Sequence, residues 1–173
     1  LPEPGVGFTC YVIEKMKDDF LLDNGFGVTI NPSGDSADWV LSHGDILNLH
    51  LNKEFYTETS SFSKATKDET VTEEEEVLIG QPSEAILPAK TRKLLDRLLK
   101  LNGVQSPKAL LMMRTKADRM TQDLVFNITP ASFPKAEAYR GIMRTLSWYL
   151  PKHYSFVGLE EKTFGSGFVE LQS

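Results

Sequence analysis

The apolar positions change rhythm along the chain, and the changes divide it into three parts. In residues 1–52, Val12, Ile13, Met16, Phe20 and Leu21 recur at three- and four-residue steps, which predicts an amphipathic helix. Asn24-Gly25 suits its end, because both residues tolerate the left-handed backbone that closes a helix. Phe26 to Ile30 then alternates apolar with small or polar residues and predicts a strand, stopped by the turn signal Asn31-Pro32-Ser33-Gly34-Asp35. Ser42 with Asp45 three residues on has the form of a capping box, opening a short helix that carries Ile46, Leu47 and His50. A module this small is expected to lean on something else.

Residues 53–76 lose the periodicity. Thr, Ser and charged residues dominate, ending in the Glu73–Glu76 run. Such a stretch buries too little surface to offset its ordering entropy, so most of it reads as a mobile linker. Phe55, Tyr56 and Phe62 are the exceptions, placed to anchor its first half on a neighbouring module.

From residue 77 to 173 the pattern is regular. Val77-Leu78-Ile79-Gly80 is a buried strand closed by Gln81-Pro82. A helix is expected from Ser83 to about Asn102-Gly103, with Leu87, Leu94, Leu95, Leu98 and Leu101 inward. Lys108 to Thr115 is a continuous apolar strand, and Leu124, Phe126 and Ile128 alternate on the next, after a turn at Asp118-Arg119. A second helix runs from about Pro134 to Leu150, with Tyr139, Ile142, Met143, Leu146, Tyr149 and Leu150 inward. Tyr154–Leu159 and Phe168–Leu171 are further strands, the latter after a Gly165-Ser166-Gly167 hairpin turn. Strand, helix, strand, strand, helix, strand suggests an α+β ferredoxin-like sandwich with one extra strand, plus a small N-terminal α+β module. The strands carry apolar residues on both sides, so the second sheet face is expected to be covered by the N-terminal module or another subunit.

Charge follows the same division. Residues 1–52 hold eight acidic and two basic residues, net −6; residues 53–76 eight and three, net −5; residues 77–173 eight and fourteen, net +6. The favoured explanation is self-complementarity, the basic part lying against the acidic part of its own chain or of a second copy. The sharpest basic feature is Lys90, Lys93, Arg97 and Lys100, which recur at helical spacing opposite the leucine face, with Arg92 beside them. They read either as a solvated helix face or as a docking stripe for a carboxylate-rich partner or for phosphates.

Candidate chemistry is sparse. Cys10, the only cysteine, sits in an apolar stretch and is expected to be a buried small hydrophobe; a single thiol suits a reducing compartment. His43, His50 and His153 have no metal-ligand spacing, so no metal is expected, and no glycine pattern leads into a helix as a phosphate or cofactor cradle would. No nucleophile–base arrangement stands out, so no catalytic residue and no cofactor is expected. No apolar run approaches the length of a membrane span, so no membrane partner is expected.

Val77-Leu78-Ile79-Gly80-Gln81-Pro82, the amphipathic helix, Asn102-Gly103-Val104 and Ala109-Leu110-Leu111-Met112 together resemble the C-terminal domain of the SseB (enhanced serine sensitivity) family. Gly27-Val28-Thr29-Ile30-Asn31-Pro32 and Ser36 to Leu49 are similar to the end of that family's N-terminal domain. The chain departs from the family in a shorter N-terminal module and a linker rich in Ser, Thr and Glu. The resemblance implies a cytoplasmic bacterial protein of unassigned biochemical activity and carries over no catalytic residues.

Three function classes follow. The first is a non-enzymatic protein-interaction or regulatory module acting through a sheet face or the Lys90, Lys93, Arg97 and Lys100 stripe, with another protein or a second copy as partner. The alternative is a metabolite sensor or enzyme with a pocket between the two modules. The third is RNA binding, disfavoured because Phe126 is the only aromatic on the candidate central strands, where base stacking would need several.

Overall fold

The structure, a computed structural model, describes residues 5, 7, 10, 12–32, 36–58, 60–62, 76–116 and 119–172. It is a mixed α+β protein with two sheets. A two-stranded antiparallel sheet joins β1 (Val28–Ile30) to β2 (Trp39–Leu41). The larger sheet contains β3 (Glu76–Gly80), β4 (Lys108–Lys116), β5 (Arg119–Phe126), β6 (Phe156–Gly158) and β7 (Val169–Glu170). Its helices are α4 (Ala89–Leu101) and α5 (Ala136–Tyr149).

The larger sheet is ordered β3-β4-β5-β6. β3 and β4 are antiparallel, as are β4 and β5, whereas β5 and β6 are parallel. β7 pairs with the first residues of β4, Ala109 opposite Val169. The mixed α+β class expected from the sequence is present; the ferredoxin-like arrangement is not confirmed. A split β-α-β unit separates the two strands it connects by a third. Here the strands joined through α4 are direct neighbours, and so are those joined through α5. A linear pattern of elements carries no information on which strands pair.

The centre of the sheet is buried on both sides, whereas β3, expected to be a buried strand, lies at the end of the strand order with Leu78 54% and Ile79 40% exposed. Ala109, Leu111, Leu124 and Phe126 face α4 and α5, where they meet Leu95, Leu99, Ile142 and Leu146. Leu110, Met112 and Val125 face the other way and are covered by Phe168, Phe164 and Leu159 of the chain's own C-terminal stretch. The second face is therefore closed by the segment after β6, in place of the N-terminal module or another subunit. Gly165–Gly167 forms a 3-10 turn within that cover, where a hairpin turn was expected.

The N-terminal module packs on the helices instead. It consists of α1 (Ile13–Met16), a π-helical turn (Lys17–Leu21) and α2 (Leu22–Asn24) in one continuous run, the β1–β2 hairpin, and α3 (His43–Asn52). The π-helical turn shifts the buried stripe. Leu21 and Leu22 enter the module's core with Leu41, Ile46 and Leu47, while Phe20 is left 51% exposed. A strict 3.6-residue pattern places Phe20 inward and misses this shift. Gly25 closes the run with φ 72°, and α3 opens on the Ser42/Asp45 capping box.

The contact between module and helices is close. A Cβ on Gly44 would overlap the Leu150 carbonyl. Trp148 Nε1 donates to the Gly25 carbonyl at 3.2 Å. Lys90 Nζ lies 2.7 Å from Asp23 Oδ1 and donates to the Asp18 carbonyl at 3.0 Å. Lys152 Nζ lies 3.3 Å from Asp45 Oδ1. Each ion pair joins the acidic module to the basic domain within one chain.

Several expected features differ in detail. α4 starts at Ala89, not Ser83. Residues before a proline avoid the helical region, and Pro88 itself, with ψ 152°, caps the helix from outside. The buried residues of α4 are Thr91, Leu95, Asp96 and Leu99, with Leu98 packed against the core and Leu87 buried just before the helix as expected, whereas Leu101 is 77% exposed. Cys10 is exposed rather than buried, because it lies before the first helical turn and belongs to no core cluster.

The segment after α3 is held by side chains. Asn48 Nδ2 donates to the Glu54 carbonyl and to Thr57 Oγ1, both at 3.0 Å. Tyr56 lies under the Lys152 ammonium, 4.5 Å from ring centroid to Nζ. Phe62 stacks on Tyr154 with centroids 4.0 Å apart, and its neighbour Ser61 accepts from the Gln122 amide at 2.8 Å, extending the β5 edge beyond β6. Of the linker expected over 53–76, residues 59 and 63–75 lie outside the described residues.

Two substitutions test this packing. Phe62→Ala removes a buried ring from the main core and is expected to lower unfolding stability by about 3 kcal/mol. Gly44→Ala forces a backbone shift where α3 meets Leu150 and is expected to cost on the order of 1–3 kcal/mol. Urea unfolding measures both; wild-type midpoints would contradict the contacts described.

Candidate functional site

The outer face of α4 is the first candidate surface. Its start is fixed by Arg92, whose Nε donates to the Leu87 carbonyl at 2.7 Å and whose Nη2 reaches the Pro82 carbonyl at 3.2 Å and Glu84 Oε1 at 2.7 Å. Glu84 Oε2 accepts from the Ala89 amide at 2.9 Å, satisfying one of the free donors at the helix start. Arg92 is thus a structural residue.

The four stripe residues have different surroundings. Lys90 is committed to Asp23 and the Asp18 carbonyl. Lys100 pairs with Asp96 at 2.9 Å, one turn back on the same helix. Lys93 and Arg97 are exposed and make no hydrogen bond or ion pair among the described residues. Half of the stripe is therefore occupied within the chain, and its centre is left facing solvent beside half-buried Leu94 and Leu98.

A groove of about 400 Å³ at the junction of the two modules is the second. Ser42, the N-cap of α3, supplies one wall; Arg144, Ser147 and Trp148 of α5 and the stretch through Lys152, Tyr154 and Phe156 supply the rest. Arg144, Ser147 and Trp148 follow helical three- and four-residue spacing and share one side of α5. Trp148 is fixed by its bond to Gly25, and Tyr154 by donation from its hydroxyl to the Ile86 carbonyl at 3.0 Å. Burial pushes the Tyr154 phenol up to about 12, so it stays neutral. Partial burial works against the Lys152 ammonium, but Asp45 and Tyr56 outweigh it and its pKa is raised. Asp45 Oδ1 is buried and lies at ion-pair distance from Lys152 without completing an aligned hydrogen bond.

Behind the groove, His43 is fully buried, with its ring 5.6 Å from that of Tyr149. Neither ring nitrogen completes a hydrogen bond. Burial drives its pKa down to about 4, although the nearby backbone of Phe26 and Leu21 favours the charged ring. His50 Nδ1 lies 3.3 Å from Asp18 Oδ1, and His153 sits edge-on to Phe62 and Tyr154. The three histidines are thus dispersed, and among the described residues no group of three or more His, Cys, Asp or Glu side chains is placed to hold a metal. No described helix is long and apolar enough to cross a membrane.

The groove residues were not singled out from the sequence. The available signal was Trp148, a large aromatic one step before the inward Tyr149 and four residues after Arg144. Its partner Ser42 comes from more than a hundred residues earlier and cannot be placed by spacing.

No family model matches the chain, and neither the curated proteins nor the solved structures contain a match.

The buried His43 predicts a pH dependence. Its folded pKa lies below the unfolded value of 6.5, so the unfolded chain takes up the proton first. The associated stability is present above pH 6.5, falls as pH drops towards about 4, and is lost below that. The size is on the order of 3 kcal/mol. Denaturant unfolding at stepped pH should show this decline in the wild type and a shallower one in His43→Gln; equal slopes would refute it.

Proposed function

We propose that this chain is a non-enzymatic interaction module of SseB-like type that docks an acidic protein segment on the outer face of α4, with Lys93 and Arg97 as its contact residues. One observation carries the reading. Among the basic residues of α4, Lys90, Arg92 and Lys100 are each engaged within the chain, and Lys93 and Arg97 are presented to solvent with none of that compensation among the described residues. Two cations one turn apart suit carboxylates at similar spacing, and Leu101 offers apolar contact at the end of the same helix.

A sheet-face site has less support, since Ala109–Met112 of β4 and Leu124–Phe126 of β5 are covered on both sides, and the exposed apolar residues Leu78, Ile79 and Met120 lie outside that stretch. The same cover weighs against RNA: Phe126, the one aromatic on these strands, is fully buried under the helices and cannot stack a base. The SseB-like reading rests on the strand–helix–strand motifs of residues 77–112, which form β3, α4 and β4 in sequence. That resemblance also underlies the assignment to the bacterial cytoplasm.

The test is capture from the source cell on the immobilised full chain, beside the double variant Lys93→Glu/Arg97→Glu. Both residues are exposed, so unfolding stability should stay within about 0.5 kcal/mol of wild type. The expected result is a salt-sensitive protein partner retained by the wild type and lost by the variant. Equal retention by both would remove α4 as the docking face.

A further inference from the structure

The groove at the module junction has a charge balance that its contacts within the chain leave open. Of its two cations, Lys152 is answered by buried Asp45 and lies over Tyr56. Arg144 is exposed and makes no side-chain hydrogen bond or ion pair among the described residues. One uncompensated positive charge therefore remains, borne by a planar group that can hold a carboxylate with two parallel hydrogen bonds.

Three of the other lining residues are aromatic, beside Leu150 and Pro151. Trp148 is held at its indole nitrogen by Gly25 and Tyr154 at its hydroxyl by Ile86, so both lining residues are anchored at their polar ends; Tyr154 is buried, with its ring stacked on Phe62. Phe156 adds a third ring. Ser42 accepts from the Asp45 amide and keeps its own hydroxyl proton to donate. A volume of about 400 Å³ lies within the range of roughly 300–1,000 Å³ typical of small-molecule sites, which are mostly apolar with a few convergent polar groups.

We propose that this groove binds a small monocarboxylate carried on an aromatic body, with Arg144 taking the carboxylate and Trp148, Tyr154 and Phe156 the ring. A single net charge selects a monoanion over a phosphate dianion. Because Ser42 belongs to the N-terminal module and Arg144 to the C-terminal domain, the ligand holds the two together. The site is distinct from the outer face of α4, so either can stand without the other.

The probe is phenylacetate, with benzyl alcohol as its uncharged counterpart, titrated into the full chain while the indole N–H signal of Trp148 is followed by NMR. Phenylacetate is expected to shift that signal saturably, with a dissociation constant on the order of millimolar for so small a ligand. Arg144→Gln is expected to weaken binding about tenfold or more, and benzyl alcohol to bind the wild type similarly weakly. Lys93→Glu/Arg97→Glu should bind phenylacetate as the wild type does. Absence of a saturable shift in the folded wild type overturns the proposal, and so does equal affinity for phenylacetate in wild type and Arg144→Gln.

Discussion

The constraint from which the remainder of the fold follows is that β4 is apolar on both sides. Leu110 and Met112 point one way, Ala109 and Leu111 the other, and all four are buried. A strand of this kind needs a cover on each face. α4 and α5 supply one, and Leu159, Phe164 and Phe168 supply the other without any regular element longer than three residues. With both faces closed by the domain itself, the N-terminal module has only the outer sides of the helices left to pack on.

That placement explains how the charges are arranged. The module is acidic and the domain basic, and the contact between them pairs Asp23 with Lys90 and Asp45 with Lys152. The Asp23–Lys90 pair is half-exposed and contributes little, about 0–1 kcal/mol, and in the other pair only the Lys152 side is exposed. The tight fit comes from backbone, where Gly44 meets the Leu150 carbonyl and Gly25 meets Trp148 and Tyr149. The ion pairs therefore select orientation more than they supply stability. Self-complementarity, expected from the charge count, operates at these two points, while Lys93, Arg97 and Arg144 have no acidic partner among the described residues.

Local features were legible in the sequence because local chemistry fixes them. The Ser42/Asp45 capping box, the Gly25 helix end, the Ile142/Leu146 face of α5 and the alternation of Leu124 and Phe126 all follow from spacing within a few residues. Three kinds of information were not local. Strand order depends on pairings between distant segments, so the same element sequence suits a ferredoxin-like sheet and the sequential sheet observed. The π-helical turn at Lys17–Leu21 breaks the period on which the placing of Phe20 relied. The junction groove draws Ser42 together with residues 144–156, a juxtaposition created by module docking. The aromatic residues of the linker were a middle case: Phe62 was conspicuous as an apolar residue in a polar run, but its stacking partner Tyr154 was not specified.

Docking of the first module also decides which basic groups remain available to other molecules. If the module were absent, Lys90 and Lys152 would lose Asp23 and Asp45, and all four stripe residues except Lys100 would stand open. With it in place, Lys90 is drawn off the end of the stripe and Lys152 is neutralised at the groove wall. Among the described side chains of the domain, Lys93, Arg97, Lys135 and Arg144 are left without an ion-pair partner, and most of the other cations are paired within the domain itself. A broad field attracts any polyanion and weakens steeply with salt, whereas isolated cations beside apolar surface discriminate by shape and spacing. The acidic module thus withdraws two cations, Lys90 and Lys152, from the charge the domain presents, and its burial of His43 makes its own folding weaker as the pH falls below 6.5.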